Sequence, residues 1–210
     1  GTVVHINAGI AALVAAIVIG KRVGYGKESM APHSLTMTMI GGSLLWVGWF
    51  GFNAGSGLAA DGLAANALMV THIAAATAAI TWALLDWFID KRPTVVGIST
   101  GAVAGLVAIT PAAGFVGVGG ALIIGVAVSV VCFIMVAYVK PKLGYDDSLD
   151  AFGVHGIGGI LGAILTGVLA TPAIQSAYSG AAYGNWHQLW VQFIAIGATI
   201  AFSGIGTFIL

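Results

Sequence analysis

The sequence predicts an all-α polytopic membrane protein, a helix bundle with about seven spans in this chain. Three observations predict it. Of 210 residues, 59% are hydrophobic and only 7% charged, against about 25% charged in a soluble domain, and mean hydropathy is +1.04. The few charged residues cut the chain into apolar stretches close to the roughly 20 residues a helix needs to cross the hydrocarbon core. Finally, Pro32, Pro93, Pro111, Pro141 and Pro172 all fall at or beside the ends of those stretches, as expected of a residue that is costly inside a helix.

The same numbers exclude other classes. A soluble enzyme domain needs far more charge to cover its surface. Seven Lys and Arg balance seven Asp and Glu, so no basic face exists to meet phosphates and nucleic acid is not an expected partner. The single cysteine, Cys132, allows no disulfide within the chain. Runs such as 120–138 lack the short alternation of a transmembrane β-barrel.

The spans are read at 1–19, 33–52, 63–89, 94–110, 115–139, 149–171 and 187–210 of a single transmembrane domain. The first carries His5 and ends before Lys21 and Arg22. The second ends in an aromatic-rich stretch, Trp46 to Phe52. The third starts after Asp61, an acidic residue that favours a helix N-terminus, contains His72, and closes on Asp86, Asp90, Lys91 and Arg92, read as an interfacial charge cluster. The fourth repeats Gly97, Gly101 and Gly105, small residues at a spacing that lets helices approach closely. The fifth opens within Gly114–Gly120, which lacks a phosphate-binding pattern, and ends before Lys140 and Lys142. Asp146, Asp147 and Asp150 flank the start of the sixth, where capping explains them. The seventh contains no lysine, which excludes a retinal protein. His33 and His187 sit at span ends, read as structural or solvated, and His72 is read as facing a neighbouring helix or subunit.

Every cation follows an odd-numbered span: Lys21, Arg22 and Lys27 the first, Lys91 and Arg92 the third, Lys140 and Lys142 the fifth. The positive-inside rule assigns those loops to the cytoplasm, so the first span runs from outside to inside and the chain ends inside. With Gly1 and Leu210 both within apolar stretches, the chain reads as a fragment of a longer protein.

Two spans that run in opposite directions share a phrase. Val4-His5-Ile6-Asn7-Ala8-Gly9-Ile10 and Val154-His155-Gly156-Ile157-Gly158-Gly159-Ile160 both read V-H-x-x-x-G-I. Inverted repeats are common in transporters, whose sites lie where the repeats meet. Histidine within a span is expensive and by default a functional hypothesis, and two facing imidazoles can hydrogen-bond each other and a small polar permeant. The alternative is a pair of structural histidines. Two histidines without further ligands make a poor metal site, so neither metal nor cofactor is expected, and no enzyme. At the end of the second span, Phe52 and Ser56 share a face if the helix continues. An aromatic face attracts a cation and a hydroxyl accepts from an ammonium proton. The competing reading is an interfacial aromatic belt.

The strings GTVVHINA, WVGWFGFNAGS, DAFGVHGIGG and TPAAGFVGVGGALIIG (Thr110–Gly125) are similar to signatures of the Amt/Mep/Rh ammonium transporter family, nearer its Amt branch. The resemblance runs along essentially the whole chain. It implies an eleven-helix fold in the full protein, of which this chain resembles helices five to eleven. It also implies a plasma-membrane location among lipid, a homotrimer with one pore per subunit, and a cytoplasmic regulator of the PII type. His5 and His155 resemble the family's twin pore histidines, Phe52 its inner gate phenylalanine, and Ser56 the serine of its external ammonium site. The family's first half supplies a second gate phenylalanine, the tryptophan of the external site and a structural aspartate, none of which this chain contains. The implied activity is recruitment of ammonium, its deprotonation and conduction of ammonia. The alternative is an ammonium sensor that signals to a cytoplasmic domain.

Overall fold

The computed structural model describes residues 1–210. It contains seven long helices, a single 3₁₀ turn at Ala181–Tyr183 and no strand: α1 (Thr2–Ile19), α2 (Leu35–Gly55), α3 (Gly62–Asp90), α4 (Val95–Ile109), α5 (Val118–Leu143), α6 (Phe152–Leu169) and α7 (Trp186–Ile209). Six are long and apolar enough to cross a membrane, and α4 is a shorter apolar helix of 15 residues.

Polar side chains start most helices by accepting from backbone N–H groups that have no partner in the first turn. Ser34 accepts from Met37 N, Asp61 from Leu63 N and Ala64 N, Thr94 from Gly97 N, and Asn185 from Gln188 N. Two boundaries lie well beyond the expected spans, those at 52 and 139. Helix α2 continues to Gly55, which keeps Phe52 inside it. Helix α5 continues through Pro141, because the turn Met135–Val139 just before it is wound wide, in π-helical form. A proline lacks the N–H and crowds the carbonyl four residues back, and a wide turn moves that carbonyl aside. Gly144, at φ 69°, then ends the helix.

The core lies among α3, α4 and α5, where Val70, Ala74, Leu106, Ile109, Ile124 and Val128 are fully buried. The glycine row of α4 makes this possible. A Cβ on Gly101 falls 2.8 Å from Ala78 O, and one on Gly105 falls 2.5 Å from Ala74 O, so only glycine allows backbones to pack this closely.

At one end of the bundle the loop after α1 is clamped to the loop before α6. Arg22 donates through Nε and Nη2 to the two Asp146 carboxylate oxygens, at 2.8 and 2.7 Å, and its backbone N–H adds a third bond at 2.8 Å. Those bonds hold the Asp146 carboxyl down at about 2. Lys140 pairs with Asp150. Of the three acidic residues expected to cap α6, only Asp147 does so, accepting from Ala151 N at 3.1 Å and Phe152 N at 2.7 Å. The other two lie beside cations and pair with them instead. At the opposite end, cation-free loops are joined: Asn66 Nδ2 donates to Ala113 O and Val116 O, Gln175 Nε2 to Gly114 O, and Thr171 N to Phe115 O.

Asp86 departs from the surface cluster expected of it. It is 4% exposed and accepts from Thr94 N at 3.1 Å and Thr94 Oγ1 at 2.8 Å, tying α3 to the start of α4. The helical turn aims Asp86 at α4 and away from Lys91 and Arg92.

Candidate functional site

The two V-H-x-x-x-G-I phrases meet. Each histidine lies in a five-residue π-helical turn, Thr2–Ile6 and Phe152–Gly156, followed by a 13-residue α-helical stretch. Gly9 packs on the backbone of Gly156, and Gly159 packs on His5 and Ile6. Position rises along one helix as it falls along the other, so the repeats cross antiparallel. Each phrase's glycine admits the other's histidine-bearing turn.

At the crossing His5 Nδ1 lies 3.2 Å from His155 Nδ1. One Nδ1 must carry the proton and the other accept it. Between neutral rings this leaves one Nε2 as acceptor and one Nε2–H as donor. His5 is 4% exposed, and its Nε2 has no hydrogen-bond partner within the chain.

Aromatic groups from α2 enclose His5. Trp49 stacks on it with ring centres 5.2 Å apart and planes 14° from parallel, and Phe52 meets it edge-on at 6.1 Å. Trp49 is 7% exposed and its Nε1–H donates to Thr110 Oγ1 at 2.8 Å. The belt reading therefore fails for Trp49, which is a wall of the histidine site. Ser56 follows the last turn of α2, and its hydroxyl donates to Phe52 O at 2.6 Å. With its proton engaged there, Ser56 Oγ faces any further partner as an acceptor. His72 packs outside this site, 5.4 Å from Trp46 and 6.0 Å from Phe50. His33 and His187 are exposed at helix ends.

Three cavities run in sequence past these residues. The first, about 420 Å³, is lined by Phe52, Asn53, Ser56, Thr110 and Gln175 among others. The second, about 580 Å³, is lined by Val4, His5, Leu44, Leu45, Trp49 and Phe52 with two glycines. The third, about 190 Å³, is lined by Thr38, Ser99, Thr100 and His155 with apolar neighbours. Phe52 and Val4 line both the first and the second, and Leu45 both the second and the third. The order is thus a polar end with Ser56, an apolar middle against His5, and a hydroxyl-bearing end at His155. No group of three or more His, Cys, Asp or Glu side chains is placed to hold a metal ion.

Trp49 and Thr110 are the site residues that the sequence did not single out. The signal for Trp49 was its position one helical turn before Asn53 and beside Phe52 on an aromatic stretch, and Thr110 opens a string already similar to the family.

Membrane-length helices around a polar pair, one member buried and the other half-buried, reached by cavities from both sides, are the make-up of a polytopic membrane protein rather than of a water-soluble bundle. The chain belongs to the Ammonium Transporter Family, whose model matches residues 1–210. It is 51% identical to an ammonium transporter of Aquifex aeolicus over 210 residues, covering 100% of this chain and 49% of that protein. Among solved structures it resembles Saccharomyces cerevisiae Mep2, with a TM-score of 0.90 and 37% identity, covering 100% of this chain and 49% of the other. It also resembles a sensor Amt protein, with a TM-score of 0.90 and 29% identity, covering 99% and 52%. The chain spans about half the length of the curated relatives it matches.

Proposed function

We propose that this chain contributes one half of an ammonium-transporting pore. The observation that carries the reading is the His5–His155 pair, with an unpartnered buried His5 Nε2 beside an apolar cavity. A bare cation at the bilayer centre costs several kcal/mol, while neutral ammonia escapes most of that cost. Ammonium is recruited at the Ser56 end, where the hydroxyl accepts from it and the aromatic faces attract its charge. It gives its proton to water at that end before passing Phe52. Ammonia then crosses the apolar middle along the two rings, whose paired Nε2 acceptor and Nε2–H donor match a molecule that both donates and accepts. Potassium cannot shed its charge and is excluded.

In this reading the open face of α2 is completed by the other half of an eleven-helix protein, which assembles as a trimer in the cell membrane. The cation-bearing loops after α1, α3 and α5 face the cytoplasm, where a PII-type regulator docks. The test is uptake by vesicles that contain the complete protein. Ammonium uptake with potassium excluded is expected, and equal permeation by the two cations contradicts the scheme.

A second reading is favoured by the likeness to a sensor Amt protein: the same fold reports ammonium to a cytoplasmic partner. Vesicle uptake separates the two, since a sensor binds ammonium without sustained flux.

A further inference from the structure

We propose that Thr110 is a positioning residue of the histidine site, acting through Trp49; the proposal rests on the transport reading above. Thr110 stands at the end of α4, immediately before Pro111. Its Oγ1 donates to Leu106 O at 2.7 Å and accepts the Trp49 indole N–H at 2.8 Å. The first bond orients the hydroxyl's lone pairs away from its own helix, and the second uses one of them. Trp49 reaches Thr110 from α2, so a single bond joins the indole to a helix that carries neither histidine.

That bond fixes how the indole is turned. The ring could otherwise rotate about its χ2 torsion, but a buried N–H that loses its acceptor is penalised. In the orientation set by Thr110, the indole lies 14° from parallel to His5 and meets Phe52 nearly perpendicular, at 78°. Both contacts line the apolar cavity that His5 borders. Thr110 therefore sets the face on which the His5 ring rests, and through it the direction of the His5–His155 hydrogen bond, while its own hydrogen bonds go to Leu106 and Trp49. Its small hydroxyl also lines the Ser56 cavity, so direct contact with the permeant is the rival role to be separated.

The test is initial uptake against ammonium concentration in vesicles holding the complete protein, for wild type, Thr110→Val, Thr110→Ser, Trp49→Phe, and Trp49→Phe with Thr110→Val. Valine keeps the shape and removes the acceptor, and serine keeps the acceptor. Thr110→Val is expected to lower the maximal rate about fivefold, the size of one lost buried hydrogen bond, with the half-saturating concentration within about twofold of wild type. Thr110→Ser restores the rate. Phenylalanine has no N–H to satisfy, so adding Thr110→Val to Trp49→Phe changes nothing further. A Thr110→Val loss of equal size in both backgrounds overturns the proposal in favour of direct contact, and wild-type rates in Thr110→Val overturn it outright. A wild type that does not take up ammonium counts against the transport reading. The positioning claim is then decided by a crystal structure of Thr110→Val, where an indole still parallel to His5 refutes it and a rotated indole supports it.

Discussion

Gly9 lies against the backbone of Gly156 so closely that a Cβ on it would fall 2.1 Å from Gly156 N. The reciprocal contact is looser: a Cβ on Gly159 would fall 3.1 Å from His5 Cβ and from Ile6 Cγ1. The two halves of the repeat therefore grip each other at both histidine turns, with the tighter contact at Gly9 and the looser one, to His5 Cβ, Ile6 Cγ1 and Ile6 N, at Gly159.

This difference ranks two substitutions. Gly9→Ala forces backbone apart and is expected to destabilise by about 1–3 kcal/mol, the usual cost of overpacking. Gly159→Ala meets its nearest neighbours at 3.1–3.2 Å, where a shift of a few tenths of an ångström relieves the contact, and costs less. Thermal unfolding of the detergent-solubilised complete protein checks the order, and a larger loss for Gly159→Ala contradicts it.

Ser56→Ala removes the acceptor at the polar end of the cavities and leaves the histidine pair untouched. The half-saturating ammonium concentration is expected to rise about three- to tenfold, the range of one hydrogen bond, with little change in maximal rate. Concentration-dependent uptake provides the measurement.

Asp86→Ala removes the buried carboxylate that accepts from the Thr94 N–H and hydroxyl, at a cost of about 1.5–3 kcal/mol, the range for hydrogen bonds to a charged group. Asp86→Asn retains an acceptor oxygen and costs less. Unfolding temperatures of the two variants against wild type decide this. Equal stability of all three would show that the α3–α4 link contributes nothing.

The Arg22–Asp146 clamp has a defined acid limit. The Asp146 carboxyl is lowered from an ordinary 3.8 to about 2 by its bonds from Arg22. A depressed carboxyl contributes stability that is complete above its unfolded value and is lost as pH falls through the folded one. The clamp is therefore intact at pH 5 and above and opens between about pH 4 and 2. Hydrogen exchange of residues 20–27, corrected for intrinsic rates, is expected to stay slow from pH 8 to pH 5 in wild type. In Asp146→Asn it is expected to be fast throughout. Loss of protection between pH 6 and 5 in wild type contradicts the assignment.

The helices were legible because hydropathy, charge and proline placement are local properties. The histidine pair was legible because a repeated phrase marks two positions at once. What failed to show depended on contacts between distant segments. Trp49 read as part of an interfacial belt because composition at a span end cannot reveal that α1 carries His5 onto its face. Asp86 read as a surface charge because Asp90, Lys91 and Arg92 follow it, whereas the helical turn aims it at Thr94. Asp146 and Asp150 sit where capping residues sit, and only the fold brings Arg22 and Lys140 to them. The run of α5 past Pro141 required a wide turn that no local pattern announces.

The central claim is that His5 and His155 together conduct a neutral permeant. The most direct measurement is the ratio of ammonium to potassium uptake in vesicles containing the complete protein with His5→Leu and His155→Leu combined, alongside its unfolding temperature. The account predicts a folded protein whose ammonium flux collapses or whose discrimination against potassium is lost. A folded variant with wild-type flux and wild-type selectivity would contradict it.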